Sequence, residues 1–236
     1  MTAAQEGTAK GKSLVDIRAE LKRQSEDIAS RIGKPGGDFI KVQTDKTFKL
    51  PDGTVDRGPM SVVIIDFVGG NFFFDRPYKE GEMVPPACFA LGTEVEALVP
   101  HPSSPVKQSD NCKSCGNNVF GTNGAGKACS NTRVLVVTAP GDGDTPLYSL
   151  KVSPTGVRAF DAYVKSIKAS YDSLPIAVVT DIYFDESLKY PSLRFGNPRE
   201  NPDLVRHFDL IKVARERLLT APDVSQYQPP KGSKKK

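Results

Sequence analysis

The four cysteines of this chain have the residue type and the spacing of a metal site. They stand at Cys88, Cys112, Cys115 and Cys129 in a sequence of 236 residues. Two residues separate Cys112 from Cys115, so one tight turn can direct both thiolates at a single ion. Four soft ligands predict a closed tetrahedral Zn²⁺ site, which is structural because no coordination position stays open for a substrate.

The same cysteines allow other chemistry. Thiolates also hold iron–sulfur clusters, and thiols can form disulfides or simply pack in a core. The first residues of the chain do not resemble a secretory signal, so we expect the cytoplasm, where disulfides are rare. We therefore predict zinc and keep an iron–sulfur protein as the alternative.

The glycine-rich stretch 121–128 comes close to a nucleotide-binding loop. A P-loop has Ser or Thr after its lysine to hold Mg²⁺, a buried strand before it and a helix after it. Here Ala128 follows Lys127, so the hydroxyl ligand is missing. The chain also has only two histidines for acid–base chemistry. We expect that the protein is not an enzyme.

The net charge of the chain is concentrated at its end. The formal charge is +4, and four lysines lie among the last six residues, 231–236. The rest of the chain is near neutrality, so any basic binding surface has to be local. No apolar run approaches the about 20 residues that a membrane span needs, and we expect no membrane contact.

The elements that position the cysteines are predicted to be short strands and a few helices. The strongest strand is Ser61 to Val68, and Gly69-Gly70 is expected to turn it into a hairpin with the phenylalanines that follow. Ser153-Pro154 and Asn201-Pro202 are typical helix starts. We predict an α+β fold: an OB-like small β-barrel with a zinc-ribbon insertion and flanking helices.

The predicted domain organisation has four parts. Residues 1–12 form a disordered arm, and residues 13–220 form a single OB-like domain that begins with an amphipathic helix. The metal-binding insertion of that domain covers about 85–132, and residues 221–236 form a basic disordered tail.

The cysteine frame resembles a family of tailed-bacteriophage proteins that are in part labelled single-stranded DNA-binding. The resemblance rests on Pro85 to Phe89, Cys112 to Gly121 and Gly126 to Leu135, and it extends over about 39–195. A metal ribbon inserted in an OB-type barrel is also similar to the zinc-bearing single-strand binders of replication. Many such binders end in an acidic tail that recruits partners, whereas this chain ends in three lysines.

The resemblance implies a single-stranded DNA-binding protein of phage DNA replication or recombination, with little sequence preference. It implies Zn²⁺ as cofactor, single-stranded DNA and phage replication proteins as partners, and the cytoplasm of the infected host as location. The competing hypothesis is a zinc-stabilised structural or protein-interaction module that does not bind nucleic acid.

Single strands are bound without sequence preference by a positive groove combined with aromatic faces. The candidate contacts lie near the cysteine stretch in sequence, and Phe73 is expected on the opposite face of its strand from its two neighbours. The predicted stacking residues are Phe72, Phe74 and Tyr78, and the predicted phosphate contacts are Arg76, Lys79, Lys113, Lys127 and Arg133.

Overall fold

The computed structural model of the chain describes residues 38–77, 84–141 and 146–230. The chain divides after Gly37, and all the described residues belong to the second unit. The predicted disordered arm and the amphipathic helix after it lie outside the described residues. No helix in the described part is long and apolar enough to cross a membrane.

In these three ranges, nine strands form one sheet, and three α-helices follow or interrupt them. The strands are β1 (Phe39–Val42), β2 (Phe48–Lys49), β3 (Val55–Asp56), β4 (Met60–Phe73), β5 (Cys88–Gly92), β6 (Cys129–Thr138), β7 (Tyr148–Val152), β8 (Val178–Phe184) and β9 (Leu193–Glu200). The helices are α1 (Pro154–Tyr171), α2 (Leu204–Asp209) and α3 (Ile211–Leu219).

The strand order is β3-β2-β1-β7-β6-β4-β8-β9, and β5 also pairs with β4. Neighbouring strands are antiparallel except β1 and β7, which are parallel. The sheet curls into a half-barrel. The prediction of a mixed α+β fold with a curled, barrel-like sheet is therefore confirmed.

Strand β4 is the centre of the sheet because it pairs along both of its edges. One edge pairs with β6 over almost the whole strand, while the other pairs with β8 at its start and with β5 at its end. The predicted strand Ser61 to Val68 lies inside it. Most of its residues are buried, as expected for a strand with layers on both faces.

The predicted hairpin at Gly69-Gly70 is wrong, because β4 continues through both glycines to Phe73. The glycines serve close packing and make no turn. A Cβ at Gly69 would lie 2.8 Å from Val95 Cγ2, and one at Gly70 would lie 2.7 Å from Phe72 Cε2.

Each face of the sheet is covered by a different helix. On the first face, Phe160 and Ile167 of α1 pack against Ile64 and its neighbours in a cluster of buried side chains. On the second, Ala214 and Leu218 of α3 pack in a separate cluster. We call these the α1 face and the α3 face of the sheet.

The chain still contacts the sheet after the predicted end of the domain at residue 220. Ala221 and Val224 pack on the cluster of the α3 face, and the hydroxyl of Tyr227 donates a hydrogen bond to a carboxylate oxygen of Asp75. The first ten residues of the predicted tail, 221–230, are thus described, while its lysine-rich end lies outside the described residues.

Replacing Gly70 by alanine should destabilise the protein. The added Cβ would also lie 3.0 Å from Thr132 Oγ1, and overpacking of this kind costs about 1–3 kcal/mol. Gly116→Ala is the control, because nothing lies within 4 Å of its added Cβ. Urea unfolding of both variants measures the effect; equal stability of the two would contradict the packing role of Gly70.

Candidate metal centre and nucleic-acid interface

The register of three strands brings two of the four cysteines to the same level of the sheet. Phe73, the last residue of β4, pairs with Cys88 on β5 and with Cys129 on β6. Directly opposite residues of antiparallel strands project to the same face. Cys88, Phe73 and Cys129 therefore share one face, and alternation from Leu135 along β6 identifies it as the α1 face.

The other two cysteines come from the segment between β5 and β6. The backbone N–H of Cys112 donates to the Leu98 carbonyl at 2.9 Å, and the Asn118 side-chain amide donates to the Cys112 carbonyl at 2.7 Å. Cys115 comes directly before a 3₁₀ turn over Gly116–Asn118. These bonds fix the Cys112–Cys115 turn over the ends of the strands.

All four cysteines are free thiols, are buried, and line one small cavity of about 10 Å³. Such a volume is about the space of one water-sized sphere. Among the described residues, no three His, Cys, Asp or Glu side chains are arranged to hold a metal ion. The cavity nevertheless brings together four soft donors of the kind that Zn²⁺ binds.

Burial favours the protonated form of two of these thiols, Cys129 and Cys112, because it raises their pKa. Desolvation, and after it the neighbouring Cys112, Cys115 and Cys88, raises the pKa of Cys129 to about 12, against a smaller lowering by Lys127. Desolvation also raises the pKa of Cys112, opposed by a hydrogen bond from the Asn71 side chain. Four thiolates in this space require a cation to replace the protons.

Within the segment between β5 and β6, residues 101–106 form hydrogen bonds to the outer edge of β5 and the residue before it. The N–H of His101 donates to the Phe89 carbonyl at 2.7 Å, and that of Val106 donates to the Ala87 carbonyl at 2.8 Å. The His101 ring stacks on Phe89 with 4.9 Å between centroids. The edge of β5 is thus covered by this part of the segment.

The part of the segment before β6 is a turn that presents an aromatic ring to solvent. Phe120 is 74% exposed, and Lys127 Nζ lies 4.9 Å from the centre of its ring. The same amine donates to Asn131 Oδ1 at 2.9 Å and to Asn118 Oδ1 at 3.1 Å. Lys127 is therefore held in place, although no carboxylate neutralises it among the described residues.

This glycine-rich turn is not a P-loop. Asn123 and Gly126 form an isolated bridge, with the Gly126 N–H donating to the Asn123 carbonyl at 2.9 Å. The residue after Ala128 begins strand β6, where a P-loop would begin a helix.

The three consecutive phenylalanines are divided between the faces of the sheet. Phe73 lines the cysteine cavity, and Phe72 packs in the core cluster of the α3 face with 8% exposure. The expectation that Phe72 stacks on a base is corrected, because its ring is already covered. Phe74 is 37% exposed and remains a candidate.

The predicted phosphate contacts are placed very differently from one another. Arg133 is buried and forms a two-pronged salt bridge with Asp161 at 3.0 and 2.7 Å, so this prediction is corrected as well. Lys113 is exposed and only loosely paired with Glu96, at 3.8 Å. Arg76 is half-buried, and its Nε has no hydrogen-bond partner among the described residues. Tyr78 and Lys79 lie outside the described residues.

Two residues that sequence reasoning did not select stand out in the structure. The first is Phe120. Its position before Gly121 in a polar stretch is the feature of the sequence that could have indicated an exposed ring. Lys151 of β7 is the other: its Nζ lies 4.0 Å from the ring centre of Phe72 and 6.0 Å from that of Phe74. Burial lowers the pKa of Lys151 to about 8, and no feature of the local sequence indicates this.

Comparisons with protein-family models, with curated proteins and with solved structures find no match to this chain.

The stability of a Lys151→Met variant relative to the natural chain should depend on pH. The pKa of Lys151 is about 8 in the folded protein and 10.5 ordinarily. At pH values below about 8 the folded protein holds a desolvated ammonium, and at pH values between the two pKa values only the unfolded chain holds the proton. The natural chain therefore gains stability as pH rises through this range, and the variant, which has no amine at this position, gains none. The advantage of the variant at pH 7 should shrink by about 1–3 kcal/mol towards pH 10, at about 1.4 kcal/mol per pKa unit.

Urea unfolding of both proteins at several pH values measures this difference. Lys165→Met is the control, because it removes an amine from an exposed position on α1. A constant difference for Lys151→Met would show that the amine is not desolvated.

Proposed function

We propose that this protein binds single-stranded DNA with little sequence preference, and that its four cysteines hold one Zn²⁺ that stabilises the binding surface. The observation that carries the proposal is the exposed ring of Phe120 with the amine of Lys127 above it, on a turn that the cysteine segment supports. Single-strand binders combine base-stacking aromatic rings with cations that contact the phosphates.

The zinc part of the proposal is supported by the long irregular segment between β5 and β6, which contains two of the four cysteines. Between β5 and β6, residues 93–128 contain two 3₁₀ turns and no strand. A segment of this length without regular structure is unusual inside a compact domain. A metal ion orders such polar residues, which cannot build a core of their own. In this proposal the segment is a zinc ribbon inserted in an OB-like half-barrel.

The proposed contacts are a subset of those expected from the sequence, with Phe120 added. Phe120 and Phe74 would stack on bases, while Lys127, Lys113 and Arg76 would contact phosphates. Tyr78 and Lys79 stay in the proposal as expectations from the sequence. No catalytic step is part of it. A role in phage DNA replication or recombination, with phage replication proteins as partners in the host cytoplasm, rests on the family resemblance alone.

A second function has its own observation. Several large apolar side chains of α2 and α3 are exposed, among them Val205 at 84% and Phe208 at 64%. Exposed apolar side chains that are close together mark protein-interaction surfaces. A zinc-stabilised protein-interaction module is therefore the alternative, and lack of DNA binding would favour it.

The protein purified without added metal should contain one zinc ion per chain. Cys112→Ser should remove the zinc and lower the free energy of unfolding by several kcal/mol, because structural zinc contributes directly to folding. Ser114→Ala, between the two cysteines of the turn, is the control and should keep the metal. Elemental analysis reads both; iron would indicate the iron–sulfur alternative, and absence of metal would end the zinc proposal.

Phe120→Ala should weaken the binding of oligo-dT about tenfold, since a stacked base contributes about 1–3 kcal/mol. Val119→Ala is the matched control, because Val119 is an exposed neighbour on the same turn. Fluorescence titration at low salt measures the affinities. Failure of the natural chain to bind oligo-dT, or equal affinity for duplex of the same length, would contradict the proposed function.

A further inference from the structure

Three lysines lie side by side across three strands at the edge region of the sheet. Lys41 of β1 is directly opposite Lys49 of β2. On the other side of β1, Ile40 is beside Leu150 of the parallel strand β7, so the next residues, Lys41 and Lys151, are also neighbours. We call Lys151, Lys41 and Lys49 the lysine row.

The row lies on the α3 face, opposite the cysteine cavity. Ile40, Phe48 and Leu150, each next to one of the lysines in sequence, are all buried in the cluster under α1. Because side chains alternate along a strand, the lysines project to the other face. Lys41 and Lys49 are exposed there, beyond the part of the face that α3 covers.

The charges of the row are not neutralised. Among the described residues, no salt bridge includes any of its three members. Like charges directly opposite each other on neighbouring strands are destabilising. A polyanion laid across the strands would remove this repulsion, and it would also supply the counter-charge that the half-buried amine of Lys151 lacks.

Aromatic rings border the row on the same face. Lys151 reaches over Phe72 towards Phe74, and Phe74 is exposed. Phe39 lies two residues before Lys41 on β1, so it shares the face, and it is exposed as well. Cations in line with exposed rings are the combination that single strands require, whereas an acidic peptide would need only the cations.

We propose that the lysine row, with Phe74 at its end, is a track for the sugar–phosphate backbone of single-stranded DNA. This inference rests on the proposed function and adds a second contact surface to it. Both surfaces lie near the end of β4: Lys127 donates to Asn131, whose amide donates to Asn71 of β4, and Phe74 directly follows the last residue of that strand. A strand that contacts both Phe120 and the lysine row passes round this end of the sheet.

The test neutralises two members of the row in the full chain. Lys41→Gln/Lys49→Gln is compared with Lys165→Gln/Lys168→Gln, which removes the same charge from exposed positions of α1. The probe is fluorescent oligo-dT of about 30 nucleotides, longer than the about 4–16 that one OB fold covers. Binding is titrated at several salt concentrations.

The variant of the row should bind about tenfold more weakly at low salt. Its slope of log K against log salt should fall by about 1.4, since a single strand releases about 0.7 counterion per phosphate contact. The α1 variant should keep the affinity and slope of the natural chain. The Lys41→Arg/Lys49→Arg variant should bind like the natural chain, because it keeps both positive charges at the same positions.

The outcomes separate this inference from the proposed function. If the natural chain does not bind oligo-dT, the proposed function fails and the track fails with it. If the natural chain binds and Phe120→Ala weakens it, but the row variant binds like the α1 variant, only the track is overturned. Loss of binding in both double variants would also overturn it, because the effect would then come from net charge.

Discussion

Most of this structure depends on the hydrogen bonding of β4 along both of its edges. The strand has 14 residues, and it gives the sheet a common partner for β5, β6 and β8. An extra residue at Ile65, where the pairing with β6 shifts, lets Ile64 and Phe67 both pack on the α1 face. The cysteine cavity exists because this strand reaches Phe73, between the first residues of β5 and β6. A chain that turned back at Gly69-Gly70 would have no such site.

The sequence correctly predicted those strands and helices whose formation depends on interactions between residues close together in the chain. The strand at Ser61 to Val68 and the helix at Ser153-Pro154 are both present, because apolar alternation and a proline in the first helical turn act within a few residues. Gly69-Gly70 misled the prediction because a glycine pair is ambiguous. It permits a turn, and it equally permits side chains to approach a strand closely, as Val95 and Phe72 do here.

The candidate site was predicted in part for the same reason. Convergence of four cysteines follows from their number and from the two-residue turn, and they do line one cavity. The buried salt bridge of Arg133 could not be predicted from the sequence around it, because its partner Asp161 lies on a helix that packs on the sheet. The lysine row was equally hidden: Lys49 and Lys151 meet Lys41 only through strand pairing.

The parallel pairing of β1 with β7 has a consequence for how the chain folds. Phe39 pairs with Ser149, 110 positions later, and β2 and β3 join the sheet only through β1. Contacts between such distant segments form slowly, since a long loop must close first. During synthesis β1, β2 and β3 leave the ribosome well before β7, and strands this short have little stability alone. These three strands, which are made before β7, are therefore among the last of the described strands to find their place in the sheet.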